Sequence, residues 1–170
     1  MEDEGFVELH LDLERVDLSR FLPALEAAAA RGIGISTLAE ECSLDPEALH
    51  KLYSLAQVVH ASPTWTLEEY LQRFDDRNAV FIARLGSAYV GYSYLSFREQ
   101  RRGRLHQSMT GVRPEFRRQG IATALKTRGI LYARQRGFQT IITRIRKGNE
   151  ASLAMNRKIG FVEPLAGGAA

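Results

Sequence analysis

The stretch from Val112 to Ala122 combines the residue types that bind a phosphate or diphosphate group. Two arginines and a glutamine lead into Gly120, and apolar residues then recur at helical spacing up to Gly137, which predicts that a helix begins here. The N-terminus of a helix presents unpaired backbone N–H groups and the positive end of the helix dipole, so it stabilises an anion. Gly120 lets a phosphate approach the backbone, and Ala122 keeps that approach open. The alternative is a basic turn that only begins a helix.

Charge is distributed unevenly along the chain, which carries a net charge of +3. Residues 1–50 hold 12 acidic and three basic residues, whereas residues 98–147 hold 14 basic and two acidic ones. A basic block of this kind attracts polyanions such as nucleic acid or a phosphorylated cofactor. Its basic residues are spread through strand and helix patterns instead of forming one tail. A phosphorylated cofactor therefore explains this block as well as nucleic acid does, and a solvated basic face is a further alternative. We predict the cofactor and no nucleic-acid partner.

The composition is that of an ordinary globular domain. The 170 residues are 45% hydrophobic and 25% charged, which provides enough apolar material for one full core. No apolar run approaches a membrane span, and the acidic first residues lack the pattern of a signal peptide. The single Cys42 cannot form an internal disulfide, which fits a reducing cytoplasm, and no catalytic-cysteine signature surrounds it. We predict a cytoplasmic protein with no membrane partner and no metal site.

The elements that must position the phosphate-binding stretch follow from hydrophobic periodicity. Strand patterns occupy residues 6–13, 79–85, 89–97, 105–112 and 140–147. Helix patterns begin at or just after Ser19, Asp45, Thr66, Gly120 and Ser152. Ser19 is a predicted N-cap, and Thr66 with Glu69 forms a predicted capping box. Residues 33–41 fit neither pattern clearly.

A second motif follows the last predicted strand and completes a resemblance to a known family. The first motif is Arg117-Arg118-Gln119-Gly120-Ile121-Ala122, preceded by Val112-Arg113-Pro114. The second motif comprises Asn149, Ser152, Asn156, Lys158, Gly160 and Phe161. In this order, with a strand before each motif and a helix after it, the chain resembles the GNAT superfamily of N-acetyltransferases. The resemblance is tight over residues 79–163 and looser back toward residue 32.

The resemblance implies an α/β (α+β) fold, in which a mixed, mostly antiparallel, twisted sheet is flanked by helices and carries an extra N-terminal strand and helix. The strands at 105–112 and 140–147 would splay apart to admit acetyl-CoA as the cosubstrate. The residues implied to bind it are Thr110, Gly111, Val112, Arg117, Arg118, Gln119, Gly120, Ile121, Ala122, Thr123, Asn149 and Asn156. The two asparagines would contact it with their side chains. The implied activity is direct attack on the thioester by a primary amine of a small molecule or peptide.

The family's proton-transfer groups do not carry over to this chain. Where many members have a tyrosine thought to protonate the leaving thiolate, this chain has Asn156, whose amide is no acid at neutral pH. A thiol with a pKa of about 8.5 is a fair leaving group, so either water suffices or another side chain acts. The candidates for the acid are Tyr92, Tyr94, Tyr132 and His106, and those for the base are Glu99 and His106.

The two ends of the chain depart from the family pattern. Only residues 162–165 and a small-residue tail follow the second motif, whereas residues 5–13 supply an extra amphipathic strand. We predict that this strand fills the vacant sheet edge, in its own chain or in a homodimer partner by exchange. Alternatively, the chain is one part of a tandem two-domain protein. The predicted divisions are a strand–helix extension at 1–31, an acetyltransferase domain at 32–165 and a disordered tail at 166–170.

Two other functions remain as alternatives. Residues 36–55 imitate a helix-turn-helix DNA-binding unit, but the second helix has only His50 and Lys51 as basic side chains, and Glu47 would face phosphate. The other alternative is a GNAT fold that binds CoA and acetylates nothing. The sequence does not decide the identity of the acceptor, because the four arginines of the loop 98–104 would attract either an acidic acceptor or only the phosphates of CoA. A polycationic acceptor would need the acids of the N-terminal half.

Overall fold

The computed structural model describes residues 5–60, 64–97 and 103–166, which form a six-stranded sheet with helices on both faces. The strands are β1 (Phe6–Asp12), β2 (Ile33–Thr37), β3 (Val80–Leu85), β4 (Ala88–Ser96), β5 (Arg104–Val112) and β6 (Thr140–Arg146). The helices are α1 (Leu22–Ala30), α2 (Leu38–Leu44), α3 (Ala48–Val59), α4 (Leu67–Leu71), α5 (Ile121–Gln135) and α6 (Glu150–Ile159). The predicted fold class is confirmed.

The strand order in the sheet is β1-β6-β5-β4-β3-β2. Every neighbouring pair is antiparallel except β5 and β6, which run parallel. A parallel pair needs a crossover connection, and α5 supplies it between β5 and β6. This connection brings the N-terminus of α5 to the end of β5, beside the next strand of the sheet.

The N-terminal strand β1 occupies the sheet edge beside β6 in its own chain. Alternate side chains from Leu9 to Leu13 are buried, as the sequence alternation predicted. Val162, near the other end of the chain, forms a single bridge with His10 of β1, in which the two residues exchange backbone hydrogen bonds of 2.7 and 2.9 Å. Of the two arrangements predicted for this strand, the structure has the one within the chain.

Helices cover both faces of the sheet, and the hydrophobic cores that they bury on the two faces differ in composition. α1, α5 and α6 lie over the larger core, which is mainly aliphatic and includes Leu95 and Leu125. α2, α3 and α4 lie over a smaller core, the tyrosine core, which contains Tyr70, Tyr92 and Tyr94. The second face therefore buries hydroxyl groups close to the strands β4 and β5.

Local start signals decide several element boundaries. Thr66 begins α4 with the predicted capping box. The undecided segment 33–41 forms β2 and then α2, because Thr37 begins α2 with a capping box of its own. The prediction that Ser19 caps α1 is wrong, since Asp17 accepts the Ser19 backbone N–H and begins a 3-10 turn before α1.

The helix pair of the DNA-binding alternative, α2 and α3, packs on the sheet, with Leu52 and Leu55 of α3 in the tyrosine core. Within the described ranges, no helix is both long and apolar enough to cross a membrane. The predictions made for Glu99, for most of the arginine loop (98–102) and for the tail at 167–170 lie outside the described residues.

Candidate active site

The parallel strands β5 and β6 separate halfway along their length. They pair only from Arg104 to Gln107 of β5. The next residue of β5, Ser108, forms a bulge, because β4 offers partners to Gln107 and Met109 but none to Ser108. A bulge bends its strand and increases its twist, so it directs the end of β5 away from β6. The predicted splay of these strands is confirmed, and it leaves a gap in the sheet.

The buried side chain of Gln107 holds the bulge in shape. Its Nε2 donates to Ser93 Oγ at 2.9 Å, to Tyr94 O at 2.9 Å and to Met109 O at 3.3 Å. Its backbone oxygen accepts from Thr143 Oγ1 at 3.3 Å. Gln107 therefore links β4, β5 and β6 at the point where the gap begins.

The gap is a cleft of about 830 Å³, here named the interstrand cleft, between β5, β6 and the first turns of α5 and α6. Its lining includes almost all predicted cofactor-binding residues: Thr110, Gly111, Val112, Arg117, Arg118, Gly120, Ile121, Ala122, Thr123, Asn149 and Asn156. Gln119 does not line it, because its backbone oxygen accepts from Arg31 and its side chain donates to Glu115 O. The size of the cleft suits a small-molecule ligand.

The N-terminus of α5 forms an anion-binding corner of the interstrand cleft. Gly120 has a φ of 77°, and no side chain caps the helix that follows it. A Cβ atom on Gly120 would meet no atom within 4 Å, so the space beside the backbone is open at the residue that begins α5. Arg117 and Arg118 approach the same corner, and Arg118 has a φ of 61°. Free backbone donors with two guanidinium groups fit a diphosphate.

Both asparagines of the second motif use their side chains within the protein. Asn149 caps α6 by accepting the Ser152 N–H at 3.2 Å. Asn156 is buried, with its Oδ1 accepting from Lys126 Nζ at 2.9 Å and its Nδ2 donating to Ser152 O at 2.8 Å. These hydrogen bonds use Oδ1 of Asn149 and both polar atoms of the Asn156 side chain. Both residues line the cleft, and their contact with a cofactor stays a prediction.

Lys126 is a buried cation in the wall of the cleft that the sequence analysis missed. It is only 4% exposed, and burial lowers its pKa to about 8. Its Nζ lies 5.8 Å from the centre of the Phe161 ring. A signal was available, because Lys126 follows Ala122 by one helical turn and residues four apart share a helix face.

The end of α3 closes the interstrand cleft beside Gly111. A Cβ atom on Gly111 would lie 2.6 Å from Val59 Cγ2, so this close approach requires glycine. The next residue after α3, His60, lines the cleft, and its Nε2 hydrogen-bonds to the Tyr92 hydroxyl. Burial first, and then the charge of Arg73, lower the pKa of His60. A neutral imidazole at this place can accept a proton, and no sequence pattern marked it.

A second cavity of about 350 Å³ adjoins the interstrand cleft on the side of the tyrosine core. Its lining residues, which define what we name the arginine cavity, are Arg73, Tyr94, Ser96, His106, Ser108, Met109 and Arg144. Ser108, Met109 and Arg144 also line the interstrand cleft, so the two cavities meet at the bulge of β5. Two different ligands can therefore approach the same point of one strand.

The structure places the predicted catalytic residues in different parts of the molecule. Tyr94 and His106 line the arginine cavity. Tyr132 lines neither cavity, because it packs against Phe81 in the other core and its hydroxyl lies 3.4 Å from Asp76 Oδ2. Glu99 is outside the described residues. The structure thus brings two of the three main candidates to one place.

Comparison with known sequences identifies relatives over most of the chain. The sequence profile described as the acetyltransferase (GNAT) family matches residues 46–161. The mycothiol acetyltransferase of Thermobispora bispora is 28% identical over 156 residues, which cover 86% of this chain and 52% of that protein. The chain therefore spans about half the length of this curated relative.

Solved structures share the fold at low sequence identity. The ribosomal-protein-S18-alanine N-acetyltransferase of Escherichia coli has a TM-score of 0.64 and 23% identity, over 78% of this chain and 79% of that one. A chain of the NatC complex bound to Gag peptide and CoA has a TM-score of 0.64 and 18% identity, over 76% of this chain and 84% of that one. At these identities the likeness shows the fold alone.

Proposed function

The chain belongs to the GNAT family of acetyltransferases, and we propose that it transfers an acetyl group from acetyl-CoA to a primary amine of a small molecule or peptide by direct attack in a ternary complex. The observation that carries this proposal is the meeting of the interstrand cleft and the arginine cavity at Ser108 and Met109. Direct attack requires both substrates to end at one point, with the reacting atoms roughly 3 to 3.5 Å apart.

The interstrand cleft supports acetyl-CoA as the donor. The uncapped start of α5 and the two arginines before it would hold the diphosphate. Beyond Gln107, β5 does not pair with β6, so backbone groups on that side of residues 110–112 would hydrogen-bond the extended arm of CoA, apart from the Val112 carbonyl, which accepts from Arg117 Nε at 3.1 Å. A backbone N–H at this strand would also polarise the thioester carbonyl and stabilise the oxyanion that forms on attack.

We assign the proton-accepting role to His60. The attacking nitrogen must lose a proton, and the lowered pKa of His60 keeps its imidazole neutral at neutral pH. In the tautomer in which Nε2 donates to the Tyr92 hydroxyl, Nδ1 carries the lone pair that would accept this proton. His60 lines the cleft beside Gly111, on the strand that would hold the thioester arm. Tyr94 and His106 stay predicted candidates, in the cavity where they would orient the amine, and Glu99 also stays a prediction.

No dedicated acid is proposed for the leaving thiolate. Asn156 cannot donate a proton at neutral pH, and its amide is bound to Lys126 and Ser152. Burial raises the pKa of Tyr92 above its usual range, which makes its hydroxyl a poor acid. A thiolate whose conjugate thiol has a pKa of about 8.5 leaves without an acid and takes its proton from water.

Binding of CoA without acetyl transfer is the second candidate. The observation that favours it is the match to only 52% of the mycothiol acetyltransferase, since a longer protein has further residues that can supply acceptor-binding groups. In that case this chain by itself would bind CoA and acetylate nothing.

Two measurements on the purified chain test the proposal. Calorimetry with CoA measures the donor site, and the release of free thiol from acetyl-CoA in the presence of an amine panel measures transfer. We expect CoA binding and amine-dependent thiol release. Binding without amine-dependent release supports the second candidate, and the absence of CoA binding contradicts both.

A further inference from the structure

The wall of the arginine cavity is positively charged. Among the residues that the structure describes, seven line this cavity, and two of them, Arg73 and Arg144, carry guanidinium groups. None of these seven described residues is acidic. A cavity of one charge sign favours ligands of the opposite sign.

The guanidinium group of Arg73 is held in place without a carboxylate. Its Cζ atom lies 3.9 Å from the centre of the Trp65 ring, a stacking contact that fixes the group and leaves its charge in place. Across the described part of the chain, Arg73 forms no ion pair. The positive charge of Arg73 also contributes to lowering the pKa of His60.

Arg144 offers one edge of its guanidinium group to a ligand. Its Nε lies 3.1 Å from Glu8 Oε2, and the side chain is 56% exposed. Its Nη groups form no hydrogen bond with any residue that the structure describes. A guanidinium group is a planar fork with five N–H donors, so the free edge can bind a carboxylate or phosphate through two parallel hydrogen bonds.

Two described acidic residues, Glu8 and Asp75, bind residues of this wall and do not themselves line the cavity. Glu8 pairs with Arg144 and also accepts from His10 at 2.7 Å. Asp75 Oδ2 accepts from Ser96 Oγ and from the Phe97 N–H, both at 2.9 Å. Because neither acid lines the cavity, a ligand inside it contacts the guanidinium groups first.

We propose that the acceptor is a small amine that also carries a carboxylate or phosphate group, which Arg73 and Arg144 bind while the amine points to the bulge at Ser108. This inference rests on the proposed acetyl transfer and names the chemical class of its acceptor. The volume of about 350 Å³ suits a molecule of about the size of an amino acid. Tyr94 and Met109 supply an apolar wall for the part of the acceptor between its two polar groups.

Matched amines that differ only in the anionic group test this proposal on the protein loaded with CoA. The pairs are L-leucine with L-leucinamide, to test a carboxylate, and O-phosphoethanolamine with ethanolamine, to test a phosphate. Calorimetry measures binding without the need for turnover, and thiol release from acetyl-CoA measures transfer. We expect the anionic member of at least one pair to bind about tenfold more tightly, the size of effect typical of a charge-assisted hydrogen bond.

Three substitutions connect that preference to the arginines. Arg73→Gln and Arg144→Gln should each reduce it about tenfold, whereas Arg73→Lys should retain part of it because the charge stays. CoA binding should be unchanged in Arg73→Gln, since Arg73 does not line the interstrand cleft. The control is Arg157→Gln, because Arg157 pairs with Glu163 at 3.1 Å, is 50% exposed and lines neither cavity.

The outcomes separate this inference from the proposed function. Equal or undetectable binding of the anionic and neutral amines, or a preference that survives both glutamine substitutions, overturns the anion site. If neutral amines are acetylated as well as anionic ones, acetyl transfer stands and the anion site fails. If the anionic amines bind preferentially but no amine releases thiol, the anion site stands and acetyl transfer fails.

Discussion

The interstrand cleft and the arginine cavity meet at one bulge, yet they are built in different ways. The cleft is formed mainly by short runs of neighbouring residues in β5, α5, β6 and α6, with Val59 and His60 at the end of α3, and its anion-binding corner combines the uncapped start of α5 with the adjacent Arg117 and Arg118. The arginine cavity is formed by side chains from four separate segments, with Arg73 and Arg144 at the two extremes in sequence. The proposed donor site is therefore built mostly from residues close in sequence, whereas the proposed acceptor site depends on side chains from distant segments.

Gln107 is the residue whose loss should damage both cavities, because it shapes the bulge that they share. Gln107→Leu removes the hydrogen bonds that this buried amide donates to Ser93, Tyr94 and Met109, which costs about 2 kcal/mol of the free energy of unfolding. We expect weaker CoA binding and loss of measurable turnover together, read by calorimetry, thiol release and thermal unfolding. Gln135→Leu, at an exposed position of α5, is the control and should change none of these. Normal CoA binding in Gln107→Leu would contradict the role of the bulge in opening the cleft.

His60→Gln should affect the chemical step and leave the binding of CoA intact. A general base is worth about a hundredfold in kcat, so a loss of that size is expected. In the wild type, kcat should fall with decreasing pH as His60 becomes protonated, with an apparent pKa below the usual value of 6.5, and stay level above neutral pH. In His60→Gln, this fall of kcat at low pH, the acid limb of the pH profile, should be absent.

His106→Gln is the matched change in the arginine cavity. It should raise the KM of the acceptor and keep the acid limb of the pH profile, since His106 lines only that cavity. If the limb disappears in His106→Gln and persists in His60→Gln, the base lies in the acceptor cavity and the assignment to His60 is wrong.

Gly120→Ala should weaken CoA binding by about tenfold and leave acceptor binding unchanged, because a methyl group would enter the open space beside the start of α5, where the diphosphate is proposed to bind. Gly137→Ala is the control at the other end of α5, where glycine has a φ of 79° against 77° at Gly120 and equally open surroundings. Both substitutions should cost about 1 to 2 kcal/mol of stability from backbone strain. Equal CoA affinities in the two variants would show that the start of α5 does not bind the diphosphate.

Most of the fold was predictable because its signals are local. Alternating side chains located five of the six strands, and capping residues such as Thr66 located helix starts. The sixth strand, β2, was missed because residues 33–37 form a short strand that runs directly into α2. Ser19 was a reasonable cap by residue type, but Asp17 two residues earlier took that role.

For the candidate site, the sequence predicted which backbone segments line the interstrand cleft, and little beyond that. The motif residues from Thr110 to Thr123 line the cleft with the single exception of Gln119 among those predicted. The side-chain roles were harder, because they depend on partners that are distant in sequence. Asn156 was expected to face a ligand, and its hydrogen bond to Lys126 could not be inferred from either residue alone.

The sequence by itself determined where an anion can bind, because a glycine before a helix start provides free N–H groups and open space wherever the helix lies. It also determined the strand β1, whose alternating leucines need a core on one face. Only the tertiary structure decided that His60 meets Tyr92, 32 residues away, and that Arg73 and Arg144 share one cavity. Side chains from distant segments come together only when the sheet and its two helical layers have packed, so the chemistry of the acceptor belongs to the fold as a whole.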